Sequence, residues 1–274
     1  MATGDVQSSV DVLRHLPASA WSRTVGRAAG LRLPPPLLRA AVAVYSRALG
    51  VEMAEASVPA RGFGTFSQFF ARRLRPGARR VDATPKAIVS PCDGTVVSAG
   101  ALVDRPGPPR FVVKGREFTA RDLTGGEVAW LGADGPGGHV VIYLSPADYH
   151  RVHCPVDGAV RSVRRISGTR MPVNRLGRML APWAVVTNER VVFDLASPDG
   201  DLALVMVGAL GVSAIDVTAP TGGELHDTGA APCPPPSMGR GDELGAFNLG
   251  SSVVVRWSGS AELDVEPAQR GGMG

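Results

Sequence analysis

A serine at the entrance to a predicted strand is the first residue of this chain whose position could carry chemistry. Val253 to Val255 form an apolar β-branched run, which predicts a buried strand, and Gly250, Ser251 and Ser252 come directly before it. A hydroxyl that follows a glycine can attack the carbonyl just behind it, because glycine tolerates the twisted backbone that the attack requires. The attack would move the acyl group from nitrogen to oxygen, and elimination from the resulting ester would cut the chain. The same pattern is typical of a plain turn, so this interpretation needs partners elsewhere.

Two histidines that follow a predicted strand at 139–144 are candidate partners. His150 and His153 lie in segment 145–155, which has a proline near each end and is predicted to be a loop. Three interpretations stay open. With Cys154 the histidines could bind a metal, although no second ligand cluster completes a tetrahedral site. They could be packed or surface side chains, or they could exchange protons, since imidazole titrates near neutral pH.

A carboxylate at Asp93 completes the set of candidate groups. It lies in Ser-Pro-Cys-Asp-Gly-Thr-Val at 90–96, and the related Cys-Pro-Val-Asp-Gly-Ala-Val occupies 154–160. Each copy predicts a tight turn at the start of a strand, because Asp before Gly is a common turn choice. Asp93, one imidazole and Ser251 also supply an orienting carboxylate, a base and a hydroxyl, which are the groups of an activated nucleophile.

The elements that must position these residues fall into two regions. Residues 8–75 have helical periodicity, including a helix after Pro36 that is expected to stop at Gly50. Thr65 followed by Gln68 predicts a capping box before a further helix, whose apolar stripe would run through Phe66, Phe69, Phe70 and Leu74. From Lys86 onward the pattern is one of short strands, predicted at 139–144, 185–194, 202–207 and 211–217. The prediction is an α+β fold: N-terminal helices in a region of residues 1–80, then a mostly antiparallel β core of related β units in a catalytic region of residues 81–274.

Composition agrees with many short strands, since 44% of residues are hydrophobic, 5% are aromatic, and there are 34 Gly and 23 Pro. The net charge of +4 says little, but the charged residues are distributed unevenly. Residues 1–50 contain six Arg and two acidic residues, and residues 61–80 contain six Arg and no acidic residue. Arginines beside apolar helix faces favour a membrane surface, although such faces can also pack on the protein body. The three cysteines show no paired spacing, which favours a reduced, cytosolic setting. No signal peptide is apparent, and no apolar run approaches the roughly 18 residues that a membrane span needs. A soluble or peripheral protein is therefore expected.

Five motifs together carry a resemblance to a known family. They are Phe66-Ser-Gln-Phe-Phe-Ala-Arg-Arg-Leu-Arg-Pro-Gly77, Ser90-Pro-Cys-Asp-Gly94, Asp148-Tyr-His-Arg-Val-His153, Asn188-Glu-Arg190 and Leu249-Gly-Ser-Ser252. In their residue types and in their order along the chain, these motifs resemble those of the phosphatidylserine decarboxylase family. The resemblance covers about residues 20 to 257. Two positions depart from the family pattern: Ser252 stands where the terminal motif usually has Thr, and Cys92 stands where Ala usually precedes the aspartate.

The resemblance implies that the chain cuts itself. By matching positions, Asp93, His153 and Ser251 form the relay, in which His153 takes the proton of Ser251 and the freed oxygen attacks the carbonyl of Gly250. Cleavage between Gly250 and Ser251 then leaves a β chain of residues 1–250 and an α chain that begins at position 251 and ends at 274.

The resemblance also implies what the cut enzyme does. The α chain begins with a pyruvoyl group derived from Ser251, a cofactor built from the protein that acts as the electron sink in place of pyridoxal phosphate. His150 is the candidate to protonate the carbon that loses carbon dioxide, and the reaction converts phosphatidylserine into phosphatidylethanolamine. Val173 and Asn174, in a segment that matches the family near its substrate, are candidate substrate contacts. No metal is expected.

The implied setting is peripheral attachment to the cytoplasmic side of the cell membrane, as a homodimer of α/β chain pairs and without a nucleic-acid partner. Three alternatives remain. One is decarboxylation of a soluble amino acid on the same scaffold. Another is a hydrolase that uses Asp93, His153 and Ser251 on other molecules, which the absence of a Gly-x-Ser-x-Gly elbow around Ser251 disfavours. The last is a binding module built from the β repeats, which would leave the histidine loop without a purpose.

Overall fold

A computed structural model describes most of the chain. The described residues are 18–102, 110–113, 116–126, 128, 136–173, 181, 183–209, 214–220, 231–232, 237–248, 251–261 and 270–271. Five helices occur in this part of the chain: α1 Ala18–Ala29, α2 Pro35–Leu49, α3 Phe66–Phe70, α4 Ala120–Thr124 and α5 Ala184–Thr187. The strands are β1 Ala56–Ser57, β2 Arg73–Leu74, β3 Gly94–Ala101, β4 Arg110–Val113, β5 Arg116–Thr119, β6 Gly137–Leu144, β7 Arg151–His153, β8 Gly158–Ile166, β9 Arg190–Ser197, β10 Gly200–Gly208, β11 Ile215–Val217, β12 Ala231–Pro232, β13 Ser237–Met238, β14 Glu243–Phe247, β15 Ser251–Ser258 and β16 Arg270–Gly271.

One large sheet organises the β region. Its strands follow the order β12-β8-β9-β10-β15-β6-β3-β16, and β13 also pairs with β8. A second sheet has the order β11-β14-β7, and β1-β2 and β4-β5 form two-stranded ribbons. Pairings between these strands are antiparallel. The predicted α+β fold with a mostly antiparallel core is confirmed.

The large sheet is buried on both faces where β15 crosses it. Val253 and Val255 belong to one apolar cluster, and Val254 belongs to another, because successive side chains of a strand point to opposite faces. All three valines are at most 1% exposed. Burial on both faces explains why this strand reads as a continuous apolar run, as the sequence predicts.

The N-terminal helices are shorter than the sequence suggests. Gly50 ends α2 in the left-handed conformation, with φ of 73°, as predicted. The Thr65 hydroxyl accepts a hydrogen bond from the Gln68 amide, as predicted, at 3.1 Å. The stripe does not continue to Leu74, however, because Leu74 pairs with Ala56 in the β1–β2 ribbon. Helix therefore does not extend over the whole of 8–75, and the part of that range before Ala18 lies outside the described residues.

The strand predictions are confirmed in part. β6 and β10 contain the strands predicted at 139–144 and 202–207, and the two Asp-Gly turns lead into β3 and β8 at Gly94 and Gly158. The strand predicted at 185–194 is wrong at its start, where α5 forms instead and β9 begins only at Arg190. Of the strand predicted at 211–217, β11 covers the last residues, and 211–213 lie outside the described part.

Candidate active site

Ser251 is the first residue of β15 and is completely buried. It pairs with Gly208 of β10 on one side and with Leu144 of β6 on the other. Its side chain is on the same face as Val253 and Val255, because these positions alternate along the strand. The Ser251 Oγ is buried without a hydrogen-bond partner among the described residues. A buried hydroxyl normally has a partner, so its isolation marks this position. Gly250, on the other side of the predicted cut, lies outside the described residues.

The histidine loop starts from the residue that pairs with Ser251. β6 ends at Leu144, and the chain then passes through 145–149 to His150, whose carbonyl accepts a hydrogen bond from the Phe247 amide at 2.9 Å. Phe247 is four residues before Ser251 in the sequence, and four residues reach at most about 14 Å. Short segments therefore connect Leu144 to His150 and Phe247 to Ser251. Because Leu144 pairs with Ser251 and His150 is hydrogen-bonded to Phe247, the histidine loop lies beside the start of β15.

Asp93 lies at the same edge of the sheet. It directly precedes β3, in which Thr95 pairs with Tyr143 of β6. β3 and β15 flank β6, so the two strands lie about 10 Å apart. A Cβ atom at Gly94 would be 2.5 Å from the Tyr143 carbonyl oxygen, which is why glycine is required between Asp93 and the strand. The sheet thus brings Asp93, the start of the histidine loop and Ser251 to one edge.

The Asp93 carboxylate is held by an arginine fork. Arg79 donates from Nε to Oδ1 at 3.0 Å and from Nη2 to Oδ2 at 2.6 Å. The Arg79 Nη1 donates to a Glu55 carboxylate oxygen at 2.9 Å. Hydrogen bonding to Asp93 raises the pKa of Arg79 above its ordinary value. Asp93 is 8% exposed, so this pair is largely shielded from water.

His153 is a neutral imidazole with both ring nitrogens engaged. Its Nδ1 lies 2.7 Å from the Gly241 carbonyl oxygen and must donate to it, which leaves Nε2 to accept from the Tyr149 hydroxyl at 3.0 Å. Burial lowers the pKa of His153, although the bond to the Gly241 carbonyl opposes this. The structure therefore places Asp93 near His153 but does not join them by a hydrogen bond.

His150 is completely buried and has one nitrogen without a partner. Its Nδ1 donates to the Asp148 carbonyl at 2.8 Å, and its Nε2 has no hydrogen-bond partner among the described residues. The ring lies 4.1 Å from the ring of Phe70, centroid to centroid. Burial, with a smaller contribution from the charge of Arg72, lowers the pKa of His150 to about 4, although the bond to the Asp148 carbonyl opposes this. At neutral pH the Nε2 is thus an unprotonated, available acceptor.

Comparison with known proteins identifies the family. The family model described as phosphatidylserine decarboxylase matches residues 66–274. A phosphatidylserine decarboxylase proenzyme of Myxococcus xanthus is 38% identical to the chain, over 91% of the chain and 89% of that protein. Proenzymes of the same name from Brevibacillus brevis and Azotobacter vinelandii are 35% and 34% identical, over 89% and 88% of the chain and 86% and 88% of their own lengths. The chain belongs to the phosphatidylserine decarboxylase family.

The structure adds residues to this family site that sequence reasoning did not assign. Three side chains from the N-terminal region hold the histidine loop: Tyr45 donates to the Pro146 carbonyl at 3.2 Å, Arg72 donates to the Ala147 carbonyl at 3.1 Å, and Phe70 packs on His150. Phe70 and Arg72 lie in the first of the motifs that carry the resemblance, which was the one available signal. Their contacts with the loop span more than 70 residues of sequence, so no local pattern reveals them.

The predicted substrate contacts are placed in part. Val173 is 3% exposed and packs in the same apolar cluster as Val253, whereas Asn174 lies outside the described residues. The segment before Val173 is tied to the site by Asn188, whose side-chain amide donates to the carbonyls of Met171 and Gly208, each at 2.8 Å. Gly208 pairs with Ser251. The Asn-Glu-Arg motif of the phosphatidylserine decarboxylase family thus connects this segment to the strand beside Ser251.

Two negative findings hold for the described residues. No group of three His, Cys, Asp or Glu side chains in them could hold a metal ion. Among the helices that the structure describes, none is long and apolar enough to cross a bilayer.

Proposed function

We propose that this chain is the precursor of an enzyme that cuts itself between Gly250 and Ser251 and then decarboxylates phosphatidylserine to phosphatidylethanolamine. The relatives it matches along most of its length are named phosphatidylserine decarboxylase proenzymes, and a proenzyme requires a maturation step. The observation that carries the proposal is the hydroxyl of Ser251 at the head of β15, which is buried without a partner among the described residues and lies opposite the residue from which the histidine loop departs.

His153 is the proposed base for self-cleavage. Its Nδ1 proton is fixed by the Gly241 carbonyl, so the lone pair is on Nε2, where a proton from Ser251 can be received. Nε2 must exchange the Tyr149 hydroxyl for that of Ser251 to do so. Burial lowers the pKa of His153 overall, but the charges of Glu243 and, more weakly, Asp93 act in the opposite direction and thus favour the imidazolium that forms. Asp93 therefore supports the base by its charge without a direct hydrogen bond.

The bonds change in three steps. The Ser251 Oγ attacks the Gly250 carbonyl carbon, the peptide C–N bond breaks, and an ester joins the two residues. Loss of the Ser251 α-proton and cleavage of its Cβ–Oγ bond release Gly250 as a carboxylate and leave a dehydroalanine at position 251. Water then replaces the nitrogen of that residue, ammonia leaves, and a ketone remains at the new N-terminus.

The surroundings of position 251 fit a small group such as pyruvoyl, because Ser251 is fully buried, its Oγ has no hydrogen-bond partner among the described residues, and it pairs with the residue from which the histidine loop departs. Such a group, once formed, would supply the electron sink for loss of carbon dioxide. His150 is the proposed proton carrier. Since its Nε2 is unprotonated, with a pKa of about 4, it can accept a proton from the ammonium group of the incoming lipid and return it to the carbon that loses the carboxylate.

The outer surface of the N-terminal region is the proposed membrane contact. Leu37 and Val44 of α2 are 56% and 69% exposed, and Leu31, just before this helix, is 58% exposed. Arg39 and Arg47 of α2 are also exposed. Another side of α2 packs inward at Leu38 and reaches the histidine loop through Tyr45, so apolar residues occur on two sides of this helix. Apolar side chains beside arginines suit an anionic bilayer surface.

This membrane contact would hold the enzyme peripherally on the cytoplasmic side of the cell membrane, with its site next to the lipid. A vesicle-flotation assay tests it: we expect Leu37→Glu and Val44→Glu to reduce binding to anionic vesicles while self-cleavage continues. Equal flotation of the wild-type chain with and without vesicles would contradict the contact. We also propose, from the family resemblance, that the cut chains form a homodimer. A mass from light scattering near that of a single α/β chain pair would refute the homodimer.

The decisive substrate test compares lipid with free amino acid. Purified protein is incubated with phosphatidylserine in detergent micelles or with free serine, and carbon dioxide and the amine product are measured. We expect phosphatidylethanolamine from the lipid, no turnover of serine, and no product with Ser251→Ala. Turnover of serine alone would favour decarboxylation of a soluble amino acid instead. Hydrolysis of an ester by an uncut chain would revive the hydrolase alternative.

A further inference from the structure

We infer that Arg79 is a positioning residue for self-cleavage: its guanidinium fork fixes the Asp93 carboxylate at the sheet edge, and Glu55 fixes the fork. The inference rests on the proposed function, because it assigns Asp93 a part in cutting the chain. It goes further by placing two residues of the N-terminal region, which sequence reasoning assigned to membrane association, in the maturation machinery.

The geometry uses every nitrogen of the Arg79 guanidinium. Nε and Nη2 each donate to a different oxygen of Asp93, at 3.0 and 2.6 Å. Nη1 donates to Glu55 at 2.9 Å and to the Ala78 carbonyl at 2.8 Å. A paired contact of this kind fixes the orientation of the carboxylate as well as its position, which a lysine ammonium cannot do. The two side chains of the pair are 19% and 11% exposed, so water competes weakly for them.

Asp93 needs such an anchor because of its surroundings. Its side chain is nearly buried at a turn, where its charge affects the titration of several groups on the neighbouring elements. These groups are Arg72, Cys92, Tyr149, His150 and His153. Of these only Arg72 carries a permanent positive charge, and its Nη2 is directed to carbonyls of the histidine loop. Without Arg79 the carboxylate would lose the paired contact that fixes its position and orientation.

Glu55 is itself fixed by the β1–β2 ribbon. It directly precedes β1, its carbonyl accepts a hydrogen bond from the Arg75 amide at 2.8 Å, and Ala56 pairs with Leu74 in the ribbon. Arg79 follows that ribbon by a few residues. The ribbon therefore positions Glu55, and Arg79 links it to Asp93 at the start of β3, so this part of the N-terminal region belongs functionally with the β core.

The experiment follows self-cleavage of full-length chains made by cell-free translation with a radioactive label, sampled over time and separated by electrophoresis. The variants are Arg79→Gln, Arg79→Lys and Glu55→Gln, with Arg80→Gln as the matched control, since Arg80 is the exposed neighbouring arginine. We expect Arg79→Gln to slow cutting roughly tenfold to a hundredfold, the scale of lost charge-assisted hydrogen bonds.

Arg79→Lys should recover part of the rate, Glu55→Gln should show a smaller slowing, and Arg80→Gln should cut like the wild-type chain. Wild-type rates in both Arg79→Gln and Glu55→Gln, with Ser251→Ala uncut, would overturn the inference and leave the proposed function standing. Slowing that Arg79→Lys does not relieve at all would also overturn it, since that is a structural effect. If circular dichroism shows that Arg79→Gln does not fold, the rate of self-cleavage of Glu55→Gln, at a partly exposed position, decides whether the inference holds. A wild-type chain that stays whole would refute the proposed function itself.

Discussion

The buried imidazole of His150 makes the stability of the precursor depend on pH in a defined direction. Burial lowers its pKa in the folded protein from 6.5 to about 4. As pH falls, the unfolded chain binds a proton at this residue first, so acidification favours unfolding. The stability contribution is fully present above the ordinary pKa of 6.5 and is lost progressively down to the folded value of about 4.

The size of the effect follows from the two pKa values. A difference of 2.5 units between 6.5 and about 4 corresponds to about 3 kcal/mol of unfolding free energy when fully expressed. Between about pH 7 and pH 5 the expected loss from His150 alone is about 2 kcal/mol. Burial also lowers the pKa values of His139 and His153, and these groups add losses in the same direction.

Urea denaturation of two uncut chains isolates the share of His150. One chain carries Ser251→Ala, and the other carries Ser251→Ala together with His150→Gln, so that His139 and His153 contribute equally to both. We expect the unfolding free energy of the first chain to fall by about 2 kcal/mol more than that of the second between about pH 7 and pH 5. A difference below about 0.5 kcal/mol, the usual error of such comparisons, would show that His150 is not desolvated.

Three further predictions follow from single contacts. Asn188→Ala should lower the unfolding free energy by about 3 kcal/mol in urea titrations, because it leaves buried backbone groups of Met171 and Gly208 without partners; an unchanged midpoint would contradict this. Gly94→Ala should slow self-cleavage in an electrophoretic time course, since its Cβ would lie 2.5 Å from the Tyr143 carbonyl oxygen and displace the neighbouring Asp93; cutting at the wild-type rate would refute that. Cys92 and Cys154 should escape iodoacetamide in the native protein at about pH 8, because burial raises the pKa of Cys154 to about 11 and that of Cys92 well above its ordinary value. Peptide mass spectrometry should find both modified only after denaturation, and labelling of the native protein would count against their burial.

Features with a local cause could be predicted from the sequence. The valine run of β15, the glycine stop of α2 and the Asp-Gly turns before β3 and β8 depend on neighbouring residues only. The predicted start of β9 is wrong, because strand propensity does not decide the structure there. Val185, Val186 and Thr187 favour a strand by propensity, yet they form a helical turn that is closed by hydrogen bonds from Thr187 to Trp183 and from Asn188 to Ala184.

The site shows the same division. Asp93 and Asp157 have the same local pattern, but Asp93 is buried against Arg79 and Asp157 is exposed beside Arg240. Only the partner from a distant segment distinguishes them. The bond from Tyr149 to His153 likewise depends on how the loop folds, although both residues belong to one motif. Residue types and motif order therefore identified the candidates, while their partners required the structure.

The mass of the purified, full-length protein tests the central claim most directly. If the Ser251 hydroxyl attacks the Gly250 carbonyl, intact-mass measurement under denaturing conditions will find two chains, residues 1–250 and 251–274. The smaller chain will resist N-terminal sequencing, because a ketone replaces its amine. A single chain of 274 residues that decarboxylates phosphatidylserine would contradict the account.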